Sequence, residues 1–159
     1  MKTLFRGLVT AALLLYPVHA ADWSGLCVSV ADGDTITVLS ADDWQVRVRL
    51  YGIDAPERKQ PYGTVARRSV AAICYGKTVG ITELDVDRYG RVVALVEVDG
   101  VLVNRALVDN GMAWVYEKYC KQPECDEWLE LEARARKERR GLWGGSEPPV
   151  PPWEWRRRK

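Results

Sequence analysis

Histidine is all but absent from this 159-residue chain, and the single one, His19, falls in a stretch that reads as a removable leader. Without an imidazole, Ser-His and Cys-His nucleophile systems, histidine general bases and histidine metal sites are excluded. Any hydrolysis then has to run on carboxylates, arginines, tyrosines or a metal held by oxygen. The four cysteines contain no Cys-x-x-Cys pair, which argues against a zinc site. No apolar run is long enough to cross a bilayer as a helix. Charge of neither sign predominates, with 23 Lys and Arg against 22 Asp and Glu, so the balance names no partner. The composition excludes a disordered or multi-spanning chain, and the length suits one hydrophobic core.

What is present begins with Lys2 and Arg6, an apolar run from Leu8 to Leu15, and Val18-His19-Ala20 at the positions a signal peptidase reads. The expectation is a signal peptide over residues 1–20, a mature chain from Ala21 in the periplasm or secreted, and no stable membrane association after cleavage. Loss of Lys2 and Arg6 leaves 21 basic against 22 acidic residues, four of the basic ones in Arg156-Arg157-Arg158-Lys159. A grip on a polyanion must therefore come from local arginine clusters. Export makes Cys27, Cys74, Cys120 and Cys125 candidates for disulfides, with three connectivities open. Cys120 and Cys125 bracket a short loop that a local bridge could close, leaving Cys27 and Cys74 as a long-range staple.

From Gly25 to Leu50 apolar residues alternate with polar ones, interrupted at Asp32-Gly33 and Ser40 to Asp43, which predicts strands joined by turns. Helical spacing follows from Pro61 to Cys74, stopped by Gly76. Two more strands are expected at about Thr78 to Val86 and Val92 to Val98. A short helix around Val103 to Val108 and a longer one from Asp126 to Arg140 complete the list. The basic residues Arg136 to Arg140 suit the negative end of the helix dipole better than they suit nucleic acid. This order predicts an α+β, mainly β fold: a five-stranded Greek-key barrel of the oligonucleotide-binding type with about three helices over residues 21–145. A split α+β sheet also fits. Residues 146–159, rich in Pro, Trp and Arg, predict an extended, unpacked tail, with stacking of its tryptophans on bases as the alternative.

Three segments concentrate charge at strand ends: Asp32-Gly33-Asp34-Thr35, Arg49-Leu50-Tyr51-Gly52-Ile53-Asp54-Ala55-Pro56-Glu57 and Asp87-Arg88-Tyr89-Gly90-Arg91. Taken singly, each reads as turn chemistry. Together they supply more. Arg49 lies on the polar face of its strand, Asp54 and Glu57 follow on the exit turn around Pro56, and Asp34 could complete an oxygen-only site. Hard oxygen ligands select calcium or magnesium, and two guanidiniums complement a phosphoryl group with paired hydrogen bonds.

In this order, and followed by Asn104-Arg105-Ala106-Leu107-Val108 and Gly111-Met112-Ala113, these motifs resemble the staphylococcal-nuclease (thermonuclease) family over about Val28 to Trp143. The resemblance implies hydrolysis of DNA and RNA, single-stranded or unwound, with Ca2+, leaving 3′-phosphate ends. It implies Arg49, Glu57 and Arg91 as catalytic residues, and Asp34, Asp54 and the backbone carbonyl of Ala55 as metal ligands. Ala55 stands where the family's best-known member has threonine, and Asp32 matches a further acidic position near the metal. Arg88, Tyr89 and Tyr116, with Tyr119 beside them, are candidates for nucleotide contact, ordinary rim packing being the alternative. Nothing suggests more than a monomer. A rival reading is a non-catalytic nucleic-acid-binding module, expected to lack Glu57 or one of the arginines. A disulfide-stapled structural protein would leave the converging acids and arginines unexplained.

Overall fold

The computed structural model describes residues 20–158, so the expected leader, with Lys2, Arg6 and His19, lies outside the described residues apart from Ala20. Alternation becomes strand as expected. β1 (Trp23–Val30), β2 (Thr35–Leu39) and β3 (Gln45–Leu50) form an antiparallel meander. β5 (Thr78–Val86) pairs antiparallel with β1, and β6 (Val92–Val98) antiparallel with β5. The ring closes where β3 meets β6 in parallel, with Val48 opposite Val92 and Leu50 opposite Ala94. These five strands are the expected closed barrel, which leaves no open edge among them. The two-residue strand β7 (Val101–Leu102) adds to β6, while β4 (Ile53–Asp54) and β8 (Trp114–Val115) pair with each other in a separate two-stranded sheet.

The apolar alternate residues fill the interior. Ile36, Val38, Val48, Leu50, Val79, Ile81 and Val96 are buried together, each contributing roughly 1.5–3 kcal/mol relative to an exposed side chain. Outside the barrel lie α1 (Gly63–Cys74), α2 (Val103–Asp109) and α3 (Glu124–Lys137). α1 buries Ala66, Val70 and Cys74, and α3 buries Trp128, Leu131 and Ala135. Glu124, Asp126 and Glu127 open α3 and Arg134, Arg136 and Lys137 close it, the charge order its dipole favours. Arg134 and Arg140 both bind Asp109 at the end of α2, and Arg136 binds Glu132 while packing 4.0 Å from the centre of the Trp143 ring.

Two buried polar side chains carry this scaffold to the strand ends. Asn104 accepts from the Val96 N–H at 3.0 Å and donates to the carbonyls of Tyr51 and Ala94, fixing the chain just beyond β3. Glu132 accepts from the Val115 N–H at 2.6 Å and so anchors β8, which pairs with β4 and aligns Trp114 with Asp54. Between β3 and β4, Gly52 has φ 71°, and a Cβ there would meet Cys120 Sγ at 2.7 Å, so glycine is required.

Two expectations are corrected. Cys120 and Cys125 are bridged, but Cys27 and Cys74 are free thiols in the core rather than a long-range staple. Burial, followed by the proximity of Cys27, pushes the Cys74 thiol up to about 12, and burial raises Cys27 as well. Burial thus disfavours the thiolate through which a disulfide would form. The segment expected to be an unpacked tail is instead ordered against the body, with α4 (Pro152–Trp155) followed by a 3-10 turn over Arg156–Arg158. Pro152 is buried, and the Trp153 ring stacks on Tyr116 at 5.1 Å and 9° and meets Trp114 edge-on. Prolines that restrict the free chain lower the entropy lost on docking, and the tryptophan supplies the apolar area.

Candidate active site

The barrel register gathers the charged segments. Arg49, near the end of β3, is opposite Thr35 of β2 on one side and Val93 of β6 on the other. Asp34 immediately precedes Thr35, and Arg91 lies two residues before Val93. Closure of the barrel therefore brings three distant stretches of sequence to one rim. They line a cleft of about 860 Å³ together with Asp32, Asp54, Ala55, Glu57, Arg88, Tyr89, Tyr116 and Tyr119.

Asp34 and Asp54 are almost fully buried, at 6% and 1% exposure. Arg49 ties them together, Nη1 lying 3.2 Å from Asp34 Oδ2 and Nη2 3.0 Å from Asp54 Oδ1, and it also donates to the Leu50 carbonyl. The Ala55 N–H donates to Asp34 Oδ2 at 2.8 Å, which fixes the Ala55 backbone beside that carboxylate. Asp32 accepts from the Asp34 N–H at 3.1 Å. Burial, then the charge of Asp34, pushes Asp32 up to about 6, and burial raises Asp54 even against the arginines that pull it down. Crowded, buried carboxylates of this kind favour a cation beside them.

Arg91 is held from two sides. Its Nε binds Asp87 Oδ2 at 2.7 Å, and its Nη1 donates to the Thr35 hydroxyl at 3.3 Å, which in turn donates to Asp34. Burial alone would raise Asp87, but hydrogen bonds from the Arg91 backbone and side chain and from the Tyr89 N–H hold it below the usual carboxylate range. The Tyr89 ring lies under Arg88 and Arg91, exposed at the rim. Glu57 occupies the turn before α1, where Gln60 accepts from its N–H and Gly63 packs so tightly that a Cβ would lie 2.0 Å from the Glu57 carbonyl. Tyr116 and Tyr119 meet edge to face at 4.8 Å on the opposite lip.

All the expected site residues thus line one cleft. Sequence reasoning named Asn104 and Asp87 only as members of motifs, without their supporting roles, and did not name Gln60. It also missed Arg156, whose Nη2 binds Asp54 Oδ2 at 2.7 Å and whose Nη1 binds Glu57 Oε1 at 2.8 Å. The pairing of a tryptophan-rich stretch with a run of arginines was the available signal.

Among the described residues no three His, Cys, Asp or Glu side chains converge as a metal cluster. A metal would be held by the Asp34 and Asp54 carboxylates with a main-chain oxygen and water. The oxygen-only donors and the buried, crowded carboxylates fit a hard divalent cation.

Comparison with known proteins gives a consistent picture. Residues 47–145 match the family described as staphylococcal nuclease homologue. A protein of Escherichia coli named as an uncharacterized endonuclease is 46% identical over 145 residues, covering 91% of this chain and 92% of its own. A micrococcal nuclease of Shigella flexneri is 40% identical over 163 residues, covering 96% and 91%. An uncharacterized endonuclease of Haemophilus influenzae is 33% identical over 156 residues, covering 96% and 85%. With this agreement and the barrel rim just described, the chain belongs to the staphylococcal nuclease homologue family and is a hydrolytic nuclease.

Proposed function

We propose that this nuclease is an exported, calcium-dependent endonuclease that cleaves DNA and RNA, single-stranded or unwound, and leaves 3′-phosphate ends. The observation that supports this most is the joining of Asp34 and Asp54 through Arg49, at 3.2 and 3.0 Å, in the cleft that Glu57 and Arg91 also line. Export to the periplasm or medium rests on the sequence of residues 1–20, and action as a monomer without membrane attachment completes the reading. Among the described residues no helix is long and apolar enough to cross a membrane.

Asp34, Asp54 and the Ala55 carbonyl would hold calcium, which when bound supplies a Lewis acid for a phosphoryl oxygen. Glu57 orients the attacking water and accepts its proton. Arg49 and Arg91 donate to the phosphoryl oxygens as charge grows on them during in-line displacement. Asp87 and Thr35 keep Arg91 aimed, and Asp32, beside Asp34, would add negative potential where the cation is held. Tyr89, Arg88 and Tyr116 frame the nucleotide, offering ring faces for stacking. A binding module without catalysis would be expected to lack Glu57 or one of the arginines, and Arg49, Glu57 and Arg91 all line this cleft. Incubation with denatured DNA and with RNA, in calcium and then in excess chelator, tests the reading. Cleavage to 3′-phosphate products that stops on chelation is expected; cleavage indifferent to chelator, or none at all, counts against it.

A further inference from the structure

Arg156 has a place in the cleft that the mechanism does not use. Its guanidinium lies against Asp54 in a two-toothed arrangement, Nη2 to Oδ2 at 2.7 Å and Nη1 to Oδ1 at 3.3 Å, and the same Nη1 reaches Glu57. One cation therefore covers both a ligand carboxylate and the water-orienting acid. The segment leading to it is seated along the opposite lip. Gln60, which holds the Glu57 turn, donates to the Val150 carbonyl at 2.5 Å, and Trp153 covers the face of Tyr116 that a nucleobase would use. Two residues of the segment thus fall on the three functions of the cleft, Arg156 on the metal ligand and the base and Trp153 on the nucleotide platform.

We propose that the C-terminal segment Val150–Arg158 is an autoinhibitory strap whose Arg156 competes in cis with calcium, and whose Trp153 competes with a nucleobase. The inference rests on the calcium reading of the site. With Arg49 on Oδ1 and Arg156 forked onto both oxygens, three of the four lone-pair directions of Asp54 are taken, and a divalent ion on the fourth would lie against two guanidinium charges, so the docked fork and bound calcium oppose each other. Docked strap and bound calcium are therefore alternative states, and the apparent calcium affinity is reduced by the fraction of molecules with the strap undocked. A strap docked about nine times in ten weakens calcium about tenfold. The nuclease is then held back where calcium is scarce and released where calcium and nucleic acid are plentiful, since either ligand favours the undocked state.

The test is calcium titration by calorimetry of the full chain and of its Arg156→Ala and Arg156→Lys variants, with folding checked by circular dichroism. Arg156→Ala is expected to bind calcium about tenfold more tightly, and Arg156→Lys, which keeps the charge and loses the fork, to fall between. Should Arg156→Ala fail to fold, Arg156→Lys decides alone. As a second readout, trypsin cleavage after Arg156, followed by mass spectrometry, is expected to quicken several-fold when calcium is added to the unmodified chain. Calcium affinity equal to or weaker than that of the unmodified chain in the folded variants overturns the strap while leaving the calcium site standing. Loss of cleavage at saturating calcium in Arg156→Ala, with calcium affinity unchanged, also overturns it and makes Arg156 a phosphate contact. Failure of every variant to bind calcium overturns both the strap and the calcium reading.

Discussion

Arg49 illustrates how one side chain is committed from several directions: it satisfies Asp34, Asp54 and the Leu50 carbonyl while its strand is paired on both sides. A lysine could supply charge at one of those points but not the planar fork that spans them. Arg91 and Glu57 are more exposed to the cleft, and their effect is expected to be catalytic rather than structural. Arg91→Gly or Glu57→Ser should lower the cleavage rate by about a thousandfold, about 4 kcal/mol of transition-state stabilisation, with the melting temperature little changed. Near-native turnover by purified Glu57→Ser protein would remove Glu57 from the mechanism. The identities of these residues were legible in the sequence because three charged strand-end motifs recur at family-like intervals. Asn104 was legible only as part of a motif. Its role depends on being buried between Val96 and Tyr51, which no local pattern announces.

Elements were legible where hydrophobic period was strong. β5 and β6 have the bounds that alternation gave, Thr78–Val86 and Val92–Val98. Helix ends were less so, because local geometry rather than periodicity sets them. α1 starts at Gly63 and not at Pro61, since Tyr62 adopts φ 68° and cannot continue a helix. α3 starts at Glu124, beside the bridge of Cys120 to Cys125, and stops at Lys137 before Arg139 turns at φ 55°. The contact between α2 and α3 carries a pH prediction. Partial burial would raise Asp109, but hydrogen bonds and charge from Arg134 and Arg140 hold it below the usual range. Because the folded pKa is depressed, the stabilisation is present above the unfolded pKa of about 3.9 and is lost as pH falls through the folded value. Asp109→Asn should therefore cost about 0.5–1 kcal/mol in urea titrations at pH 7, a modest figure because the ion pairs are solvent-screened. The difference should shrink below about pH 4. A difference that is the same at pH 3 and pH 7 would exclude the ion pairs as its source.

At the scale of the whole molecule, the barrel does what none of its pieces can: the parallel seam of β3 and β6 brings residues from three separated stretches onto one rim. The rim was foreseeable once the motifs suggested the fold. The docking of the C-terminal segment was not, because proline and arginine content by itself describes a solvated chain, while docking depends on Tyr116, Gln60 and Asp54 lying where the segment can reach them. The free state of Cys27 and Cys74 was hidden as well, since a count of cysteines does not say which thiols pair. The claim on which the functional account turns is that the buried carboxylates of this rim hold the calcium that activates cleavage. Asp34 is the member to alter, because Arg156 does not contact it among the ion pairs that reach the cleft. The direct measurement is the calcium dependence of DNA cleavage by the folded Asp34→Asn protein beside the unmodified chain. A rise of about tenfold or more in the calcium needed for half-maximal rate is predicted, roughly 1.4 kcal/mol or more of lost binding; an unchanged activation curve would contradict the account.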